Sequence, residues 1–237
     1  MQFYRPLNAI KALSFDLDDT LYDNRPVIQR MEAELTTWLH EHYAETKTLP
    51  TSWWQAHKQQ IAQREPELCH DVTLWRFRYM EQGFIALGYS ASQARCAAQA
   101  TVEESLRLRS DFHVPQETHR VLQALAQRLP LIAITNGNVD VERIGLAPYF
   151  QQVLQAGKQG RAKPYPDLFA LASQALGVDA ASMLHVGDHP VTDVLGALNH
   201  GCMACWFNDQ HHDVLAHHQA RLLPHLTIER LDQLLLL

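Results

Sequence analysis

Residues 12–23 read ALSFDLDDTLYD. The run ALSF delivers the chain directly into Asp16, Asp18 and Asp19. Like charges that close repel, and burying them is expensive unless a cation or hydrogen bonds compensate. Three carboxylates at a strand end therefore need partners that the rest of the chain must supply.

Four further apolar runs follow: LIAI before Thr135, QVL around Val153, MLHV before Gly187, and MACWF from Met203. Helical patterns alternate with them. Pro115–Leu129 places Val121, Leu122, Leu125 and Leu129 on one face between two prolines. Pro166–Leu176 stops at Gly177, a residue suited to the left-handed position after a helix. Val191, Val194, Leu195 and Leu198 form a stripe ending near Gly201, and the closing LLLL reads as the end of an amphipathic helix. Strand alternating with helix predicts an α/β fold, a Rossmann-like parallel sheet with helices on both faces, over residues 1–21 and 113–237.

Residues 22–112 have another texture, helical with little strand character. Val27, Met31, Leu35, Trp38 and Leu39 form one stripe, and Val72, Trp75, Tyr79 and Met80 begin another. Trp53–Trp54 and ASQARCAAQA mark two more helices, with turns at Pro50 and Gly88–Tyr89. The expectation is an all-helical insert after the first core strand.

Composition narrows the function. The chain has 237 residues, 46% of them hydrophobic, enough for a sizeable core. A formal charge of −6 argues against nucleic acid or an acidic membrane surface as the partner. No segment reads as a cleavable signal or approaches the roughly 18–20 apolar residues of a membrane span. Cys202 and Cys205 have CxxC spacing but sit on a predicted strand, where positions three apart face opposite sides. They read as buried reduced thiols of a cytoplasmic protein. The histidines of HHDVLAHH, 211–218, read as a solvated helix face. No obligate protein partner is implied.

In an open parallel sheet, ligands bind beyond the carboxyl ends of the strands. The first core strand ends in Asp16 and Asp18, the second in Thr135, Asn136 and Gly137, and the fourth in Asp188, reaching Asp193 in the next helix. After the third, GKQGRAKP brings in Lys163. Each residue type has work in phosphoryl transfer. A doubly negative phosphate monoester needs a hard cation among carboxylates, and magnesium suits few carboxylates plus water and phosphate. Lys163 neutralises the transferring oxygens, and Thr135 and the backbone N–H groups of Asn136 and Gly137 donate to them. Asp16 attacks phosphorus. Asp18 protonates the leaving alkoxide and then deprotonates the attacking water. Asp19 reads as a turn residue binding loop backbone.

FDLDDTLYD, ITNG, Lys163 in RAKPYPD and HVGDHPVTD resemble, in order, the four motifs of the haloacid dehalogenase superfamily. The insert resembles that superfamily's helical cap, spanning 22–112. FYRPL, FDLDDTLYDNRPVI, HDVTLWRFR, ITNGN and RLLPHLTI are similar to a narrower bacterial group. Those enzymes are phosphatases acting on flavin mononucleotide and on the riboflavin-pathway intermediate 5-amino-6-(5-phospho-D-ribitylamino)uracil. The resemblance implies catalysis by Asp16 and Asp18, and phosphate binding by Thr135, Asn136 and Lys163. It implies magnesium held by Asp16, the backbone carbonyl of Asp18, and Asp188, with Asp193 supporting that shell directly or through water. Position 189 departs from the pattern: His189 stands where Asp or Ser is usual, and imidazole is a poor magnesium ligand.

Other functions remain open on the residues. A sugar-phosphate phosphatase or a phosphomutase would use the same chemistry, and a non-catalytic phospho-ligand binder the same pocket. A hydrolytic dehalogenase needs no metal and lacks the second Asp of the pair, so Asp18 speaks against it. A receiver domain needs no helical insert and is about half as long. Arg25, Trp75, Arg76 and Arg78 are cap candidates for reading a substrate ring. Core packing for Trp75 and solvated or paired positions for the arginines are the simpler expectations.

Overall fold

The computed structural model describes residues 1–50, 52–211 and 223–237. Its strands are β1 (Gln2–Phe3), β2 (Ala12–Phe15), β3 (Leu131–Thr135), β4 (Gln152–Gln155), β5 (Met183–Gly187), β6 (Met203–Phe207) and β7 (Leu226–Ile228). Its α-helices are α1 (Arg25–His42), α2 (Ser52–Arg64), α3 (Val72–Ala86), α4 (Ala91–Arg109), α5 (Gln116–Ala126), α6 (Asp167–Leu176) and α7 (Gly196–Asn199). Among the described residues the strands make one sheet of order β1-β7-β6-β5-β2-β3-β4. Neighbours pair in parallel except β1 with β7.

Period-two alternation sends each strand's side chains to two cores. Leu13, Phe15, Leu131 and Val186 pack with Val121, Leu122 and Leu125 of α5 on one face. Ala12, Ile132, Ile134 and Met183 pack with Leu168 and Phe169 of α6 and Ala197 of α7 on the other. The fold is thus a Rossmann-like parallel sheet core with helices on both faces. Cys202 and Cys205 divide in the same way, one in each core, so they share no ion.

Helices α1 to α4 lie between β2 and β3 and bury a core of their own. Met31, Leu35 and Leu39 of α1 meet Met80 and Phe84 of α3 and Ala94, Ala97 and Ala98 of α4. The small alanines let α4 approach closely, and Ser90 and Gln93 start it with a reciprocal capping box. Asp71 starts α3, accepting from Thr73 N at 3.1 Å and Leu74 N at 2.8 Å. This all-helical cap is seated on the core by Asn138 Nδ2 donating to Thr73 Oγ1 at 3.0 Å and Ala162 N donating to His70 Nδ1 at 3.2 Å. Gly157, at φ +81°, lies against Asp71: a Cβ there would fall 2.5 Å from its side chain.

Several sequence expectations change. Strands β1 and β7, two and three residues long, are too short to show alternation. Val72 is 38% exposed, because it is the first helical residue after Asp71 and precedes the buried face. The stripe from Val191 is not one α-helix: a wide π-turn, Pro190–Leu195, runs into α7. The helix begun at Pro115 ends at Ala126 rather than Leu129. The closing leucines form a 3-10 turn, Leu231–Leu236, that buries Leu231 and Leu234 and leaves Leu236 exposed. The histidine run after His211 lies outside the described residues.

Phe84 is fully buried, with ring neighbours Tyr43 at 4.7 Å, Tyr89 at 5.3 Å and Trp54 at 5.4 Å. Phe84→Ala should destabilise the protein by about 3–5 kcal/mol. Urea unfolding followed by tryptophan fluorescence measures this. A midpoint equal to wild type would mean the cap core does not depend on this ring.

Candidate active site

Asp16 extends β2 by one residue, its N–H donating to Val186 O at 2.9 Å. Asp188 follows β5, and the π-turn brings Asp193 back over Gly187, where a Cβ would fall 2.3 Å from Asp193 Cγ. Oxygens of Asp16, Asp188 and Asp193 lie within 4.8 Å of one another. Lys163, 3% exposed, sits among them. Its ammonium donates to Asp16 Oδ1 at 2.6 Å, Asp193 Oδ1 at 2.6 Å and Ile134 O at 2.8 Å. All three N–H bonds are used. Burial pushes Lys163 down, but the two carboxylates outweigh it and the ammonium is held charged. Burial pushes Asp16 well up, opposed by Lys163. Asp193 is buried too, yet Lys163 and His185 hold it below the usual carboxylate range. Asp188, without such a partner, is pushed up to about 7 by burial and by Asp193.

Asp18 is held separately. Tyr22 Oη donates to its Oδ1 at 2.6 Å, and Arg109 Nη2 donates to the same oxygen. Oδ2 lies against Gly137, where a Cβ would come within 2.3 Å of it. Asp19 adopts φ +58° and accepts from Asn24 N at 2.8 Å, the loop-binding role its position predicts. Thr20 Oγ1 donates to Asp188 Oδ1 at 3.2 Å.

A family model described as haloacid dehalogenase-like hydrolase matches residues 10–201. The chain belongs to that family. It is 47% identical over 234 residues to the 5-amino-6-(5-phospho-D-ribitylamino)uracil phosphatase YigB of Escherichia coli, covering 99% of this chain and 98% of that one. With that identity across nearly the whole of both chains, the enzyme is a phosphatase. The crystal structure of a 2-haloacid dehalogenase from Pseudomonas syringae matches with a TM-score of 0.89 and 36% identity, over 95% of this chain and 96% of that one. The magnesium-bound hydrolase YfnB of Bacillus subtilis shares the fold, with a TM-score of 0.64 and 20% identity over 96% and 97% of the two chains.

In this hydrolase Thr135 Oγ1 accepts from Gly137 N at 2.9 Å, shaping the loop beside Asp18. The Asn136 side chain brackets the backbone of Lys163: Oδ1 accepts from its N–H at 2.7 Å and Nδ2 donates to its carbonyl at 2.9 Å. Asn136 thereby sets Lys163 in place. His189 caps the π-turn, its Nδ1 accepting from Val191 N at 3.2 Å and Thr192 N at 3.1 Å. The unusual residue at position 189 thus has a backbone partner.

Five contributors escaped the sequence reading, Thr20 beside Asp188 among them. Tyr22 and Arg109 grip Asp18. His185 is buried in β5, with Nδ1 2.9 Å from Ser14 Oγ and Nε2 3.2 Å from Asp193 Oδ1. Burial holds its pKa down, so it is a neutral link behind Asp193. A histidine and a serine inside apolar strands give no sequence signal; only the register that sets Ser14 opposite His185 does.

A cavity of about 280 Å³ opens from Asp18 and Gly137 into the cap, lined there by Met31, Trp75, Arg76, Tyr79 and Arg109. Trp75 packs on the cap core and Arg76 pairs with Glu32 at 3.0 Å, as the simpler expectation has it, and both also line this cavity. Arg25 pairs with Asp23 and Arg78 with Glu65, both away from this cavity.

The donor set fits a hard divalent cation. Asp16, Asp188 and Asp193 offer only oxygen, and one ammonium faces three carboxylates. Both Asp193 oxygens already accept from Lys163, His185 and His189 N, whereas among the described residues the only side-chain donor to Asp188 is Thr20, to Oδ1.

Gly137→Ala should displace the Asp18 carboxylate and cost about 100-fold in kcat, the usual scale for a misplacement near 1 Å. His189→Ala should cost about 1 kcal/mol of stability through the lost cap, with kcat changed only a few-fold. Steady-state kinetics and thermal unfolding separate the two. Comparable kcat losses would mean that His189 does more than cap the turn.

Proposed function

We propose that this enzyme hydrolyses a small phosphate monoester with magnesium and a phosphorylated Asp16. Its substrates would be 5-amino-6-(5-phospho-D-ribitylamino)uracil and flavin mononucleotide. The observation that carries the chemistry is the convergence of Asp16, Asp188 and Asp193 around the buried Lys163 ammonium. The substrate rests on the 47% identity to the Escherichia coli phosphatase, with Trp75 in the cavity wall suited to a ring.

Asp16, Asp188 and the Asp18 carbonyl would hold magnesium, with Asp193 behind them. Bound there, magnesium screens the carboxylates from the doubly negative ester and polarises a phosphoryl oxygen. The free carboxylate oxygen of Asp16 attacks phosphorus in line, positioned by the backbone at the strand end. Asp18 Oδ2 gives its proton to the leaving oxygen. As Asp16 becomes an acyl phosphate it loses its carboxylate charge, which departs with the bonding pair on the leaving oxygen and is met there by the Asp18 proton, and Lys163, 2.6 Å from Asp16, turns to the phosphoryl dianion. The Thr135 hydroxyl and the Asn136 N–H complete that cradle, while the Gly137 N–H, expected to join them, is spent on Thr135 Oγ1. Asp18 then takes a proton from water, which attacks phosphorus and frees Asp16 and phosphate. Residues 22–112 act as the substrate-reading cap over a core of 1–21 and 113–237. With its four unpaired thiols, the enzyme is best placed in the cytoplasm.

A dehalogenase reading is favoured by the likeness to the Pseudomonas syringae 2-haloacid dehalogenase. Asp18, gripped by two donors beside Gly137, has no task in it.

Acid-quenched turnover should leave phosphate on Asp16, reducible by borohydride to homoserine, and Asp16→Asn should abolish activity. Repeated absence of phosphoenzyme, even in Asp18→Asn with an activated ester, would favour attack by water. A hexose phosphate ranked far above both flavin-type esters in kcat/KM would overturn the substrate and leave the phosphatase.

The pH dependence has a definite sign. Asp188 shifts from 3.8 to about 7 on folding without a cation, so it binds protons in the folded state that the unfolded chain has lost. Its contribution to stability therefore falls as pH rises through that interval. Magnesium binds the carboxylate form, so its gain in Tm should grow over the same window. A gain independent of pH would remove Asp188 from the ligand set.

A further inference from the structure

Arg109 is the last residue of α4 and is 3% exposed. Its guanidinium spans two environments. Nη2 donates to Asp18 Oδ1, while Nη1 is buried with no hydrogen-bond partner among the described residues. Arg109 and Asp18 line the same cavity, with Gly137 at its phosphoryl end and Trp75 in the cap wall. A buried guanidinium N–H without a partner is costly, and a site that keeps one has a use for it when ligand arrives.

The charge of Arg109 is already met by Asp18, so an uncharged oxygen suits Nη1 better than a second anion. Position then specifies which oxygen. Asp18 serves the ester oxygen of the leaving group, and Nη1 and Nη2 sit side by side on one carbon of a rigid fork. An oxygen within reach of Nη1 therefore belongs to the carbon next to the phosphorylated one. We propose that Arg109 donates from Nη1 to a hydroxyl vicinal to the phosphate ester, and so selects phosphorylated polyol chains while the same group orients Asp18. The inference rests on the phosphatase reading and deepens it, because a 5-phosphoribityl chain carries such a hydroxyl. It connects recognition to chemistry: a substrate seated on Nη1 finds the acid already aimed.

The test uses two esters that differ by that hydroxyl alone, 2-hydroxypropyl phosphate and propyl phosphate. Each is assayed as a substrate and as a competitive inhibitor of p-nitrophenyl phosphate hydrolysis, so slow turnover still yields an affinity. Wild type should favour the hydroxylated ester by about 10- to 100-fold in kcat/KM or inhibition constant, the range of a hydrogen bond to a charged group. In Arg109→Lys and Arg109→Gln the ratio should collapse toward one. Because both esters meet the same preparation, a partly unfolded variant leaves the ratio unaffected. Tyr22→Phe removes the other donor to Asp18 Oδ1 and should lower both esters together, preserving the ratio. A wild type that does not discriminate, or an Arg109→Gln variant that keeps the full preference, overturns the proposal. A wild type that discriminates through Arg109 yet hydrolyses flavin mononucleotide and the ribitylaminouracil phosphate poorly overturns only the substrate assignment. A wild type inactive on every phosphate ester overturns the phosphatase reading itself.

Discussion

Three carboxylates from the segments after β2 and β5 cluster beside one buried ammonium, which bonds two of them, and most of the site follows from that balance. Lys163 is too short of exposure to be solvated, so its three N–H bonds must be met by protein. Asp16, Asp193 and the Ile134 carbonyl meet them. The same bonds draw the ends of β2 and β3 and the π-turn after β5 onto one point. One ammonium does not neutralise three carboxylates. The remainder appears as the raised Asp16 and Asp188, an excess of negative charge suited to a cation.

Support for that balance reaches through the sheet. Asn136 fixes Lys163 by its backbone, Thr20 holds Asp188, and His185, backed by Ser14, holds Asp193. The wide π-turn is part of the same arrangement: Asp193 packs where only a glycine at 187 leaves room. Each support is a short polar link inside an apolar layer, which keeps the carboxylates in fixed directions at little entropic cost during reaction.

Asp18 belongs to a second balance, between cap and core. Tyr22 comes from the loop leaving β2, Arg109 from the end of the last cap helix, and both donate to one oxygen. The orientation of the Asp18 carboxylate is thereby tied to the seating of the cap. The cavity that starts at Asp18 is walled by cap residues.

The alternation of apolar runs with helical stripes made the sheet and its helical insert legible, because period and strand-end chemistry are local properties. Asp16, Asp18, Thr135, Asn136, Lys163, Asp188 and Asp193 were nominated for the same reason: each closes an apolar run or lies in the segment after one. Their partners were not legible. Tyr22 resembles any loop tyrosine, Arg109 any arginine in a last helical turn, and Ser14 and His185 sit in strands whose pairing has no signature in either segment. Strands β1 and β7 were too short to carry a period. Trp75 packs and Arg76 pairs as their spacing and charge suggest, but that they also line the cavity beside Asp18 is decided only by the placing of α3. The sequence by itself determined which groups stand at the sheet's reactive edge. Only the tertiary structure decided which oxygen of each is occupied and which is free, because that depends on donors brought from 91 residues away for Asp18 and 147 for Asp16.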